Sequence, residues 1–210
     1  MGGITGATSG KFVLMAATLL FHGRVDNAHA TIGLVPGAPH SAIATKFADR
    51  IAHRDRVKIG IRAEYFYAPI AAAETDPATG ADVRIGQDVL DANPVEIDFP
   101  RHELRLLLPS EASRVERGMT AIPVTHQANG SMTIPLTIGS APPTAAILDL
   151  AHSTDVAAAA ATGAGPVALG RAVVKDAIVT QGATPSVGLA AFKTMRVILD
   201  LGHDRIWVAT

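Results

Sequence analysis

Ile85-Gly86-Gln87-Asp88-Val89-Leu90, Pro94-Val95-Glu96-Ile97-Asp98-Phe99 and Glu103-Leu104-Arg105-Leu106 return in the same order later in the chain. The second set reads Val187-Gly188-Leu189-Ala190-Ala191-Phe192, Arg196-Val197-Ile198-Leu199-Asp200-Leu201 and Arg205-Ile206-Trp207-Val208. Gly86 and Gly188 lie 102 positions apart, as do Asp98 and Asp200, so the two segments match without a gap. A period of about half the chain predicts two copies of one domain-like unit, whereas a solenoid repeats at a much shorter interval.

Composition agrees with a duplicated globular unit. Each half of the 210 residues is long enough to bury its own core. Hydrophobic residues make up 48% of the chain and charged residues 18%, with a formal net charge of −1. That balance gives no electrostatic case for nucleic acid. The chain has no cysteine, which excludes disulfides, thiolate catalysis and Cys-based metal sites. It leaves the compartment open, an extracytoplasmic (periplasmic or secreted) one included.

The apolar segments are short, often β-branched and punctuated by Gly, Pro, Asn or Asp, the pattern of many strands joined by turns. Thr133 to Ile138, Ala145 to Leu148, Val173 to Val179 and Arg196 to Leu199 are the clearest in the second half. Ile43, Phe47 and Ile51 recur every four residues, predicting a short amphipathic helix over 41–51 with the alanine run 157–161 as its counterpart. The polar stretch 109–118, without an apolar period, is expected to be the linker, and Glu74 to Gly80 a surface loop.

Two readings compete for residues 11–30. Lys11, the apolar run Phe12 to Phe21 and Ala28-His29-Ala30 have the outline of a signal peptide and its cleavage site. The similar piece Asn129 to Ile138 in the second half argues for a strand instead. No stretch reaches the roughly 20 apolar residues of a membrane span.

Ile138-Gly139-Ser140-Ala141-Pro142-Pro143-Thr144-Ala145-Ala146-Ile147-Leu148-Asp149 resembles the approach to the active-site aspartate of pepsin-like and retropepsin-like aspartic peptidases, where a strand ends in Asp-Thr/Ser-Gly. Arg84-Ile85-Gly86 and Ser186-Val187-Gly188 resemble the second, apolar-apolar-Gly signature of that family. The strands closing on Asp98 and Asp200 resemble the ends of bacterial lobes. The resemblance spans nearly the whole chain, once per half. It implies an all-β protein of two tandem pepsin/retropepsin-like β-barrel lobes with a cleft between them. The expected boundaries are 9–108 for the first lobe, 109–119 for the linker and 120–210 for the second.

The departures from the family bear on activity. In Ile32-Gly33-Leu34-Val35-Pro36-Gly37-Ala38, Val35 stands where the family has aspartate and Pro36 where it has threonine or serine. Asp149 is present in the second half, but Leu150-Ala151 follows it in place of Thr/Ser-Gly. Aspartic peptidases hold the attacking water between two carboxylates that share a proton, one the base and the other the acid. Valine can do neither. Each such role is worth roughly 100-fold to 10,000-fold in rate, so the expectation is a degenerate homologue with Asp149 as a remnant catalytic residue. Val35, Gly37, Leu150 and Ala151 would then line a cleft that binds an extended peptide or protein segment. Two alternatives remain open: an active endopeptidase pairing Asp149 from two chains of a homodimer, and a structural or partner-binding β module.

Other motifs carry less. Asp98 and Asp200 are expected to satisfy backbone donors at turns. Asp149, His152 and Ser153 hold the residue types of a hydrolytic triad, but no Gly-x-Ser-x-Gly elbow surrounds Ser153. Gly6 to Lys11 looks like a phosphate loop but has one residue too few, with Phe12 at the Ser/Thr position. It also resembles a dinucleotide turn, yet no Tyr-x-x-x-Lys follows at Tyr65 or Tyr67. The eight histidines are scattered, with no paired metal spacing. No cofactor and no metal are expected.

Overall fold

The computed structural model describes residues 10–51, 56–61, 64–107, 109–159 and 166–209. The glycine-rich start before Gly10, and Ala160 and Ala161 of the alanine run, lie outside the described residues. The protein is all-β, 50% strand and 11% helix, in two lobes of curled half-barrel sheet.

In chain order, the first lobe contains β1 (Phe12–Met15), β2 (Thr18–Val25), β3 (Ala28–Leu34), β4 (Ala42–Ala44) and α1 (Thr45–Ala48). It continues through β5 (Arg56–Ile61), β6 (Glu64–Pro69), β7 (Ala72–Glu74), β8 (Val83–Ile85), α2 (Gln87–Leu90), β9 (Val95–Asp98) and β10 (Glu103–Leu106). After α3 (Pro109–Val115) come β11 (Thr120–Pro123), β12 (Thr125–His126), β13 (Met132–Ile138), β14 (Thr144–Asp149), β15 (Val156–Ala158) and β16 (Val167–Leu169). The chain closes with β17 (Ala172–Val174), β18 (Val179–Gln181), β19 (Ser186–Gly188), β20 (Arg196–Asp200) and β21 (Arg205–Ala209). Short 3-10 turns cover Leu189–Phe192 and Leu201–His203.

The duplication read from the sequence is a duplication of topology. One sheet runs β6-β5-β2-β3-β8-β4-β7 with β1 on β2, and the other β17-β16-β13-β14-β19-β15-β18 with β12 on β13. Each position in the first order has its counterpart in the second, including the parallel pairs β3 with β8 and β14 with β19. The glycines that mark the repeat have one physical reason. A Cβ on Gly86 would collide with the backbone of His40 and Ala38, and one on Gly188 with the backbone of Thr154 and His152. In both lobes a strand end slides under a returning loop with no room for a side chain.

The lobes share a third sheet, ordered β10-β9-β20-β21-β11. β9 of the first lobe pairs antiparallel with β20 of the second, so the repeated strands meet each other here. Ile97, Val197 and Leu199 are fully buried at that seam, and one hydrophobic core runs from the first lobe into the second. On the seam's outer face, Glu96 receives a two-pronged contact from Arg105 at 2.6 and 2.9 Å and faces Arg196 at 3.6 Å.

Several local expectations change. The run 41–51 is strand β4 followed by the single turn α1, because Ser41 to Ala44 extend beside β8 before the helix begins. Ile43, Phe47 and Ile51 all reach the core, a spacing that a strand and one helical turn satisfy together. Ala157 and Ala158 lie in β15, not in a helix: they pair with β18 and β19, and tertiary pairing overrides alanine's helix preference. Val173 to Val179 is two strands around a turn at Lys175 and Asp176, where Asp176 has φ 56. The polar stretch between the lobes forms α3, whose Ala112 packs with Leu107 and Ile198. Phe12 to Val25 forms β1 and β2. No helix among the described residues is long and apolar enough to cross a membrane.

Candidate functional site

Two turns leave the sheets at equivalent places and meet. In the first lobe β3 ends at Leu34, and Val35 N–H donates to Ile85 O at 2.9 Å. Ala38 N–H then closes the turn on Val35 O at 2.9 Å, and Gln87 N–H holds Ala38 O at 2.7 Å. In the second lobe β14 ends at Asp149, which pairs with Gly188. His152 N–H closes on Asp149 O at 3.4 Å, and Leu189 N–H holds His152 O at 3.2 Å. Val35 therefore matches Asp149, and Ala38 matches His152. Gly37 backs directly onto Ala151, and any Cβ there would run into that residue. The turns touch at this point.

Pro36 and Leu150, the equivalent second residues of the turns, are both buried. Both are apolar. Leu150 is 1% exposed and so turns into the core, while Ala151 is exposed and Val35 and Gly37 are partly buried.

Asp149 is engaged within its own turn. His152 Nδ1 lies 2.9 Å from its Oδ1 and 2.8 Å from its Oδ2, and Ala151 N–H reaches Oδ1 at 3.3 Å. The contact joins the carboxylate to Nδ1 of an exposed ring, whose donor or acceptor role follows from its tautomer. The Asp-His half of the composition noted in the sequence is thus assembled. Ser153 is exposed and makes no hydrogen bond to His152 among the described residues.

The loops that return beneath the two turns are fastened differently. Buried Ser41 donates its hydroxyl to Asp88 Oδ1 at 2.7 Å and its N–H to Oδ2 at 2.8 Å, while Gly86 N–H donates to Ser41 Oγ at 3.0 Å. At the matching place in the second lobe, Asp155 takes Ile178 N–H at 3.0 Å and Lys193 Nζ at 2.9 Å. Arg84 locks the first lobe further, contacting both Glu74 oxygens at 2.9 Å, Pro77 O at 2.9 Å and His40 O at 3.0 Å. Across the lobes, Gln87 Nε2 lies 3.7 Å from Met132 Sδ. Burial raises Asp91 at the end of α2 above the usual carboxylate range, partly offset by His126 of the second lobe.

The turns at the far ends of the repeat also differ. Asp98 Oδ1 accepts Arg101 N–H at 3.0 Å, as expected of a turn aspartate, and its carboxylate faces the Arg101 side chain at 3.6 Å. Asp200 instead holds His203 Nδ1 at 2.8 Å. That hydrogen bond, with the charge of Asp200, raises the His203 imidazole above its ordinary value. No group of three or more His, Asp or Glu side chains arranged to hold a metal occurs among the described residues.

The sequence pointed to Asp149 and its turn through the resemblance of Ile138–Asp149 to a family motif, and the fold brings that turn against Gly37. It did not point to the His152 contact as part of this site, although the three-residue spacing was visible, nor to the Ser41–Asp88 clasp.

No family model matches the chain, and no curated protein matches its sequence. Among solved structures, the fold is similar to conglutin gamma, a basic 7S globulin from lupine seeds. The TM-score is 0.56 at 10% identity, covering 95% of this chain and 93% of that one. The likeness is one of fold: two all-β lobes of a kind related to pepsin-like folds.

Proposed function

We propose that this protein is a catalytically degenerate homologue of the aspartic peptidases that holds an extended peptide between its lobes by strand-like hydrogen bonds. The observation that carries the reading is the junction of the two turns, with Val35 on one and Asp149 on the other. A water there would meet one carboxylate, both of whose oxygens already contact His152. The acid and base of a shared-proton dyad cannot both be supplied. The same two-lobed fold also builds a seed globulin, in keeping with a fold that hosts more than one role.

The dimeric alternative has to overcome a steric fact. A second chain's Asp149 would need the position that Val35–Gly37 of the same chain occupies, and Gly37 is already packed on Ala151.

Incubation with an acid-denatured protein and a peptide library at acidic pH tests the reading. Wild type and Asp149→Asn are expected to be equally inactive, while extended peptides shift the NMR signals of Val35–Ala38 and Asp149–His152. Restoring both loops with Val35→Asp, Pro36→Thr, Leu150→Thr and Ala151→Gly tests whether the scaffold still supports catalysis. Concentration-dependent cleavage by wild type that Asp149→Asn abolishes would establish the homodimeric peptidase. Absence of peptide-induced shifts would leave a structural module.

A further inference from the structure

The β5–β6 hairpin carries a second surface on the outside of the first lobe. Val57, Ile59, Phe66 and Ala68 face the core, so by strand alternation Arg56, Lys58, Tyr65 and Tyr67 share the outer face. Tyr65 and Tyr67 are 52% and 50% exposed, with rings edge to face at 6.2 Å. Lys58 Nζ sits 3.9 Å above the Tyr65 ring, and Arg56 Cζ 4.8 Å above that of Tyr67. Neither cation meets a carboxylate among the described residues. The fold does not demand this composition: by register Tyr65 corresponds to Val173, which is equally exposed, and Gly60 to Ala168.

Among the described residues, the main chain beside these side chains has an open side. β6 is the last strand of its sheet and, among the described residues, pairs with β5 alone. Lys58 N–H donates to Asp26 Oδ1 at 2.9 Å, and Lys58 O accepts from Asp26 N–H at 2.8 Å, so both groups point away from β6. Lys58 and Tyr67 therefore form a non-hydrogen-bonded pair of the antiparallel ladder. The N–H and C=O of Tyr67, and two residues earlier those of Tyr65, point to the open edge. Pro69, without an N–H, ends the run.

We infer that the edge of β6 accepts an extended acidic segment of a partner protein as an added strand. Backbone bonds to Tyr65 and Tyr67 would supply the ladder, the two rings its flanking surface, and unpaired Arg56 and Lys58 the preference for carboxylates. This surface is separate from the junction of the turns, so it stands or falls apart from peptide binding there.

The probe is a capped octapeptide alternating threonine and glutamate, titrated into the isotopically labelled full chain. Protection from exchange and shifts at the Tyr65 and Tyr67 amides are expected. Replacing glutamate by glutamine in the peptide should weaken binding about tenfold, as should Tyr67→Pro, which removes one outward N–H without touching the β5 ladder. Lys58→Gln gives a second, milder variant. A peptide N-methylated at every amide, with neither strand edge left to donate, should fail to bind the wild-type protein, a result that needs no variant to fold. Equal binding of the N-methylated peptide would overturn the proposal. So would shifts confined to Val35–Ala38 and Asp149–His152, or displacement by heparin with the β6 amides unprotected, which would mark a polyanion surface instead.

Discussion

Val35-Pro36-Gly37 and Asp149-Leu150-Ala151 are the same turn made twice, with opposite chemistry at the first residue. The shared part is backbone: a strand end, a turn closed three residues on, and a loop held by the N–H after Gly86 or Gly188. The divergent part is side chain. The first lobe has valine at that place, and the second an aspartate engaged by His152. The two halves thus share one backbone architecture and differ in the chemistry it carries. Geometry that many backbone contacts enforce accommodates unlike side chains at equivalent positions.

The sharpest way to break the equivalence is at its glycines. Gly188→Ala and Gly86→Ala each push a Cβ into backbone that cannot swing aside. Each is expected to cost about 3 kcal/mol, near the upper end for overpacking, read as a lower midpoint in urea. If one tolerates alanine and the other does not, the lobes are less alike than their topology.

The loop fastenings should separate the lobes next. Ser41→Ala removes the hydroxyl bond to half-buried Asp88 and leaves the Gly86 N–H without its acceptor, with an expected loss of about 2 kcal/mol. Asp155→Ala, whose Lys193 partner is 42% exposed, should cost about 1 kcal/mol. Equal losses would remove the distinction between a buried clasp and a half-solvated one.

Asp98–Arg101 and Asp200–His203 form a third comparison, the smallest in effect and the most specific. Arginine stays charged throughout the accessible range, so the first turn is indifferent to neutral pH. The raised His203 value means the folded state holds its proton more tightly than the unfolded chain. The contribution of that pair is full below the ordinary value of 6.5 and is lost as pH rises through the higher folded value. Thermal midpoints should therefore fall slightly as pH rises through that window. His203→Arg should flatten the decline, whereas Arg101→His should introduce a similar one. An unchanged profile in His203→Arg would assign the pH dependence elsewhere.

Lobe number, strand-rich class and the equivalence of Gly86 with Gly188 were legible because repeats, turn residues and apolar alternation act locally and leave regular traces. Asp149 and Val35 were singled out differently, by the resemblance of their flanking segments to a family motif. Residues 41–51 misled because Ile43, Phe47 and Ile51 bury equally well in a strand followed by one helical turn. The alanines of β15 misled because propensity is weaker than sheet pairing.

The sequence by itself determined that one unit occurs twice, since that is a matter of residues recurring in register. Only the tertiary structure decided that Gly37 rests on Ala151, that His152 turns back onto Asp149, that Ser41 clasps Asp88 47 positions away, and that β6 has an open edge among the described residues. Those outcomes depend on which backbone groups remain after the sheets have paired and on side-chain directions set by close packing, and neither is written in any local stretch of the chain.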